Sequence, residues 1–226
     1  MDRSLFLAPA LEVAPQLLGA LLTVCDGFDS EGLDSGSSAV TLRITEVEAY
    51  HGVGTLGPYD AGSHSRDRQT PRNASMFGPP GHAYVYLSYG VHFALNLVCS
   101  PAGSASGVLL RAGEIGDGAR IARARREAGS QRAKRISHPI PDSALARGPG
   151  NLASALGITR PLHDGRDLFA SPFALEAAPT SPNSIASGPR VGVSGEAGGA
   201  AFPWRFWIAG DPTVSAYRAG RNVPKP

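Results

Sequence analysis

The most regular alternation of apolar and polar positions lies in AVTLRITEVEAY, Ala39 to Tyr50. A strand sends successive side chains to opposite faces, so Val40, Leu42 and Ile44 share one face and Thr41, Arg43 and Thr45 the other. Continued at period two, the apolar face becomes Glu46, Glu48 and Tyr50. Two readings follow. Either a β-bulge resets the phase near Thr45, or at least one carboxylate points into a place partly withdrawn from water. On one strand face the two carboxylates stand roughly 7 Å apart, at about 3.3 Å of rise per residue, with Tyr50 beside them. One of them could activate a water; the alternative is a pair of solvent-facing edge residues.

The same patterning predicts the elements around that strand. APALEVAPQLLGALL reads as a short helix behind a proline-rich entry, followed by a strand at Leu22 to Cys25 and a polar turn in CDGFDSEGLDSGSSA. After Tyr50 comes an extended Gly/Pro/Ser segment, HGVGTLGPYDAGSHSRDRQTPRNASMFGPPG, which holds His51, His64 and three arginines. Loops of that length inside a compact domain are usually functional or disordered. HAYVYLSYGVHFALNLVCS predicts two strands turning near Ser88 to Gly90, and GVLLRAGE a further buried strand. A basic helix is expected from Asp117 to Gln131, then a helix in GPGNLASALGI with Asn151 in its first turn. AAPTSPNSIASGPR reads as a surface loop and FPWRFWIAG as a late strand.

Composition narrows the chemistry. With 226 residues, 42% apolar and 18% charged, the chain can bury one substantial core, and no repeat or linker divides it, so residues 1–226 are read as one domain. The N-terminal stretch is interrupted by Pro9, Glu12 and Pro15 and holds no run approaching a membrane span, which points to a cytoplasmic protein. Cys25 and Cys99 are the only cysteines and lack C-x-x-C spacing, so neither a disulfide scaffold nor a zinc site is indicated. The six histidines show no H-E-x-x-H spacing and no glycine-rich phosphate loop opens a helix, so no metal and no nucleotide cofactor is implied. The two lysines, Lys134 and Lys225, give poor support for a Schiff base, and carboxylate chemistry remains.

The net charge of +2 is small but unevenly spread. Arg120 to Arg135 carries seven basic residues against the single acid Glu127, and HSRDRQTPRN adds Arg66, Arg68 and Arg72 against Asp67. These are solvated faces or a nucleic-acid footprint. In YVYLSYG, Tyr84 and Tyr86 share a strand face as core packing or a stacking platform, while Tyr89 occupies an apparent turn where Gly or Asn is usual. A ring exposed at a hairpin tip fits a partner such as duplex nucleic acid, into which aromatic wedges insert.

The blocks RITEVEAYHG, SHSRDRQTPRNASMFGPPGHAYVYLSYGVHFALNLVC, GVLLRAGE, RGPGNLASALGI, RVGVSGEAG and WRFWIAGDPTVS, in that order over nearly the whole chain, resemble the alkyladenine DNA glycosylases, also called 3-methyladenine or methylpurine DNA glycosylases. The resemblance implies a mixed α/β (α+β) domain around a curved antiparallel sheet with peripheral helices and a protruding β-hairpin that enters the DNA minor groove. It implies a monofunctional enzyme that flips alkylated or deaminated purines out of double-stranded DNA and hydrolyses the N-glycosidic bond, leaving an abasic site, with no cofactor and as a monomer, nucleoid-associated when bound to DNA. Glu48 would be the general base, Arg111 would help position the water or the adjacent phosphate, and a main-chain carbonyl near Val191 would be a third water ligand. Tyr50 would stack on one face of the base and His64 and Tyr86 on the other. Asn96 would crowd the amino group of guanine, Tyr89 would fill the vacated space in the duplex, and Arg66, Arg68 and Arg72 would meet phosphates. A structural partner for a nearby arginine is the reading given to Glu46. The connection between Tyr50 and His64 is longer than the resemblance leads one to expect, and Tyr59 lies in it. A catalytically silent damage-binding module on the same scaffold and an unrelated hydrolase using Glu46 and Glu48 are the competing classes.

Overall fold

A computed structural model describes residues 1–28, 34–88, 90–128 and 139–224. The chain enters through a 3-10 turn at Arg3–Leu7 and a single-turn helix α1 (Ala10–Val13), which tightens into another 3-10 turn at Ala14–Leu17. Pro15 explains the short helix, because it has no N–H to continue the ladder and its ring crowds the preceding turn. The strands β1 (Leu21–Phe28), β2 (Asp34–His51), β3 (Ala83–Ser88), β4 (His92–Val98) and β5 (Ser106–Ile115) follow. Next come α2 (Ala119–Ala128), β6 (Ala146–Arg147), α3 (Pro149–Leu156) and α4 (Arg160–His163), and the chain ends through β7 (Phe173–Glu176), β8 (Ile185–Gly188) and β9 (Arg205–Ile208).

Among the described residues these strands form one open antiparallel sheet of nine, with the path β3-β4-β5-β2-β1-β7, β6 on β5, β9 on β2 and β8 on β9. The sheet branches at β2. Its first half pairs with β1 and its second half with β9, while β5 runs along its other side, so the segment carrying the two glutamates is bonded on both flanks. This is the expected mixed α/β class with an antiparallel sheet.

Both readings of the alternation in β2 hold together. Ile44 pairs with Gly113 and Glu46 with Ala112, but Val47 pairs with Leu110, so Thr45 is an extra residue on β2 and Arg111 one on β5. The extra residue moves every later side chain to the opposite face. Val40, Leu42 and Ile44 therefore join Val47 and Ala49 in the main core, against Leu95, Leu97, Val108 and Leu110 of the neighbouring strands. Thr45, Glu46 and Glu48 go to the other face, yet all three are fully buried there. Each large aliphatic side chain on the core face contributes about 1.5–3 kcal/mol, which is what holds the phase of the strand against slippage.

Helix α3 closes the core with Leu152, Ala153, Ala155 and Leu156. It stops at Gly157, whose φ of 72° is left-handed and whose N–H reaches back to the carbonyls of Ala153 and Ser154. The Asn151 side chain donates to the Arg147 carbonyl at 2.7 Å, in the first turn as the sequence predicts. The β3–β4 hairpin runs from Ala83↔Leu97 to Ser88↔His92 and carries exposed Leu87 and Val91 toward its tip. Tyr89 lies outside the described residues. So do Arg132, Lys134 and Arg135 of the basic run.

Candidate active site

The unusual face of β2 opens on a cavity of about 570 Å³. Tyr50 of β2, Tyr84 and Tyr86 of β3, Asn96 of β4 and Arg111 of β5 supply its sheet side, while His64 and Arg72 come from the long loop and Val191 to Ser194 from the segment after β8. Of the residues singled out from sequence, Tyr50, His64, Arg72, Tyr86, Asn96 and Arg111 thus line one cavity. Arg66 and Arg68 line a smaller depression of about 270 Å³, which shares His64 and Arg72 with the first.

Glu48 lies one hydrogen bond behind this wall. Its Oε2 accepts from the Tyr50 hydroxyl at 2.8 Å and from Arg111 Nη1 at 3.4 Å, and its Oε1 from the Val191 amide at 2.6 Å. A carboxylate has about four lone-pair sites, so three fixed donors leave room for one further donor such as water. The main chain at Val191 is thereby held to Glu48 through its amide N–H. Burial pushes the Tyr50 phenol well above its ordinary range, and the Glu48 charge adds to the shift, so the hydroxyl stays a proton donor to Glu48.

Glu46 is held differently. Its Oε1 accepts from Arg111 Nε at 3.0 Å, Arg205 Nε at 2.7 Å and Ser215 Oγ at 2.9 Å, and its Oε2 from the Ser215 amide at 2.7 Å. Glu46 thus accepts four hydrogen bonds, three of them at Oε1, whereas Glu48 accepts three. Two guanidiniums balance two carboxylates in this buried cluster, which is how four charges are tolerated away from water. Burial alone would favour the neutral form of Arg111, but Glu48 and Glu46 outweigh it and raise its pKa further. The β5 bulge that leaves Arg111 unpaired in the ladder is what delivers its side chain to both glutamates.

The aromatic walls are ordered by contacts of their own. The His64 ring meets Tyr86 edge to face at 4.5 Å, and Tyr84 stacks on Tyr86 at 5.5 Å. Partial withdrawal from water, with Arg72 and Arg66 nearby, lowers the His64 imidazole from its ordinary range. Asn96 is buried and donates to the Tyr84 carbonyl at 3.1 Å, leaving its carbonyl oxygen to define the pocket edge. The long loop is tied down rather than loose: the Asn73 side chain donates to the carbonyls of His64 and Arg68 at 3.0 and 3.1 Å, and Tyr59 donates to Asp67 at 2.7 Å.

Four residues that the sequence reading did not single out complete the site. Arg205 and Ser215 hold Glu46, and Arg190, fully buried, makes a two-pronged ion pair with Asp60 at 2.7 and 2.6 Å beneath Tyr50. The one local signal was the pair of glutamates itself, since buried carboxylates require cations; which arginines answer them depends on contacts more than 60 residues distant. Three arginines of the basic helix are engaged within the chain. Within α2, Arg123 reaches Asp142 and the Ile140 carbonyl, Arg125 the Ala155 carbonyl and Arg126 the Leu145 carbonyl, so these cations brace neighbouring segments. Among the described residues no helix is long and apolar enough to cross a membrane.

A buried pair of carboxylates thus stands behind a cavity of about 570 Å³ walled by aromatic side chains. The family model described as Methylpurine-DNA glycosylase (MPG) matches residues 4–212. A protein of Leifsonia xyli subsp. xyli provisionally named 3-methyladenine DNA glycosylase is 50% identical over 96% of this chain and 92% of its own length. Proteins with the same provisional name from Streptomyces avermitilis and Rhodopseudomonas palustris are 47% and 45% identical, over 97% and 95% of this chain and 92% and 90% of their own lengths. The chain belongs to the methylpurine-DNA glycosylase family. It is accordingly a DNA glycosylase, a hydrolase acting on N-glycosyl bonds, with DNA as its substrate.

Proposed function

We propose that the protein is a monofunctional glycosylase of base excision repair, which rotates an alkylated or deaminated purine out of duplex DNA into the 570 Å³ cavity and cleaves its N-glycosidic bond with a water activated by Glu48. The observation that carries this reading is the contrast between the two buried glutamates: Glu46 accepts four hydrogen bonds from Arg111, Arg205 and Ser215, while Glu48 accepts three, all from residues that line the cavity, Tyr50, Arg111 and Val191. Tyr50 stacks on one face of the base and Tyr86 with His64 on the other, a sandwich that favours a base made cationic by methylation. Glu48 deprotonates the water as it adds to the anomeric carbon, and its negative charge also stabilises the positive charge that develops on the sugar. Arg111, bonded to both glutamates and lining the cavity, positions the Glu48 carboxylate and the attacked sugar's side of the pocket. Asn96 at the pocket edge disfavours the exocyclic amino group of guanine. Arg66, Arg68 and Arg72 meet backbone phosphates, and Tyr89, outside the described residues, fills the gap in the stack.

Incubation with a duplex carrying a single 7-methylguanine or hypoxanthine, followed by alkaline cleavage, tests the reading. Strand breaks at the lesion only after alkali are expected. Tight binding without breaks would mark a silent damage binder, and breaks before alkali would remove the monofunctional assignment.

A further inference from the structure

Arg190 is the one fully buried arginine in the protein's described residues whose guanidinium lies against an aromatic ring of the candidate pocket. Its central carbon is 4.4 Å from the centroid of Tyr50 and 5.0 Å from that of Trp204, and it donates to the carbonyls of Ala49 and Ala197 at 3.0 and 2.9 Å. Asp60 takes its two outer nitrogens. Arg190 does not line the cavity, whereas Tyr50 does. One face of the Tyr50 ring is therefore already occupied by a cation, and the other face is what it offers to a bound base.

We infer that Arg190, fixed by Asp60, is a specificity-determining residue that acts through Tyr50 and moderates the preference of the pocket for cationic over neutral purines. The inference rests on the proposed placement of the base against Tyr50. A cation on one face draws on the same ring quadrupole that would attract a second cation on the other, and the two positive charges also repel across the ring. Without Arg190, Tyr50 would be a stronger platform for an N-methylated, positively charged purine and nearly the same platform for a neutral one. With it, the two classes are brought closer together. Asp60 sets the degree of moderation by partly cancelling the charge. The field of Arg190 is felt at Tyr50: it opposes the rise that burial and Glu48 impose on the phenol.

A purely structural role for Arg190 would also harm the enzyme, because the next amide, Val191, holds Glu48. That harm would slow release of every base alike. The test therefore reads a ratio: single-turnover excision, enzyme in excess, from duplexes carrying cationic 7-methylguanine or neutral hypoxanthine, measured on one preparation so that the folded fraction cancels. Arg190→Gln should raise the cationic-to-neutral ratio by about two- to fivefold, the size of an exposed cation–π contact. Asp60→Asn, which leaves the cation without its counter-charge, should lower it. In a Tyr50→Leu background both effects should shrink to the part left by direct charge repulsion. An unchanged or falling ratio in Arg190→Gln, or an effect undiminished by Tyr50→Leu, would overturn the inference. Should Arg190→Gln not fold, the direction in Asp60→Asn decides, and no fall overturns it. A wild-type chain that releases neither base would refute the pocket assignment itself, a result distinct from an unmoved ratio in an active enzyme.

Discussion

Replacing Glu46 by glutamine perturbs the buried charge cluster while keeping its shape. The carboxylate accepts four hydrogen bonds at 2.7–3.0 Å, three at Oε1 and one at Oε2, and is itself completely buried, with Arg111 and Arg205 side chains only 8% and 5% exposed. The amide can keep its oxygen toward the three donors, but its NH2 group then confronts the Ser215 N–H, donor against donor. Arg205 also loses its carboxylate partner, and Arg111 is left with Glu48 alone. Breaking a buried pair by removing one partner costs about 3–5 kcal/mol, because the surviving charge stays desolvated. With a urea m-value near 3 kcal/mol/M, the upper end for small proteins, the denaturation midpoint should fall by roughly 1–2 M. The exposed pair Arg66–Asp67 serves as the control: Asp67→Asn should leave the midpoint nearly unchanged, since surface ion pairs contribute little. A fall for Glu46→Gln no larger than that of Asp67→Asn would refute the claim that the cluster is a desolvated, mutually dependent unit.

Stability should also decline on mild acidification. His51 is almost completely buried against Trp204, with no hydrogen-bond partner for either ring nitrogen among the described residues, and burial, reinforced by Arg190 and opposed by Asp60, lowers its pKa. The unfolded chain then takes up a proton near pH 6.5 that the folded chain refuses, so the contribution is complete above about pH 6.5 and lost as pH falls below it, by up to about 1.4 kcal/mol per pH unit per group. His64 acts in the same direction, and urea midpoints that stay flat between pH 7.5 and 5 would contradict this. Duplex binding should weaken linearly in log salt, and removing a phosphate-contacting arginine, as in Arg68→Ala, should reduce the slope by about one unit; an unchanged slope removes that arginine from the interface. Tyr89→Ala should lower the flipped population, seen by fluorescence of a base analogue at the lesion, and slow excision from duplex DNA; normal flipping with impaired cleavage would assign Tyr89 to the pocket instead.

The alternation of β2 and its conflict at Thr45 were legible because a one-residue slip reverses an entire face, which leaves a sharp mark in a periodic sequence. The β3–β4 hairpin, β5, α3 and the late strand were legible for the same reason, each being a periodic or continuous apolar run bounded by turn residues. Strands β6, β7 and β8, of two to four residues, were not, since so short a segment is held by its ladder partners rather than by any pattern of its own. Of the site residues that motifs carry, Tyr50, His64, Arg72, Tyr86, Asn96 and Arg111 line one cavity, with Glu48 bonded behind it. Asp60, Arg190, Arg205 and Ser215 did not announce themselves, because each matters only through partners brought close by the closed tertiary structure, Arg190 meeting Asp60 across 130 positions of sequence. The arginines of α2 show the converse: a charge run looks like an interface, yet Arg123 and Arg126 are committed to Asp142 and the Leu145 carbonyl.

The central claim is that Glu48, and not Glu46, activates the attacking water. Glu48→Gln keeps the side-chain shape and the cavity but cannot take a proton. Single-turnover excision from a duplex carrying one 7-methylguanine, run beside a binding titration with the same duplex, tests this most directly. The account predicts base release reduced by at least about a hundredfold, in line with the loss of a general base, with lesion binding preserved. Excision by Glu48→Gln at the wild-type rate would contradict it.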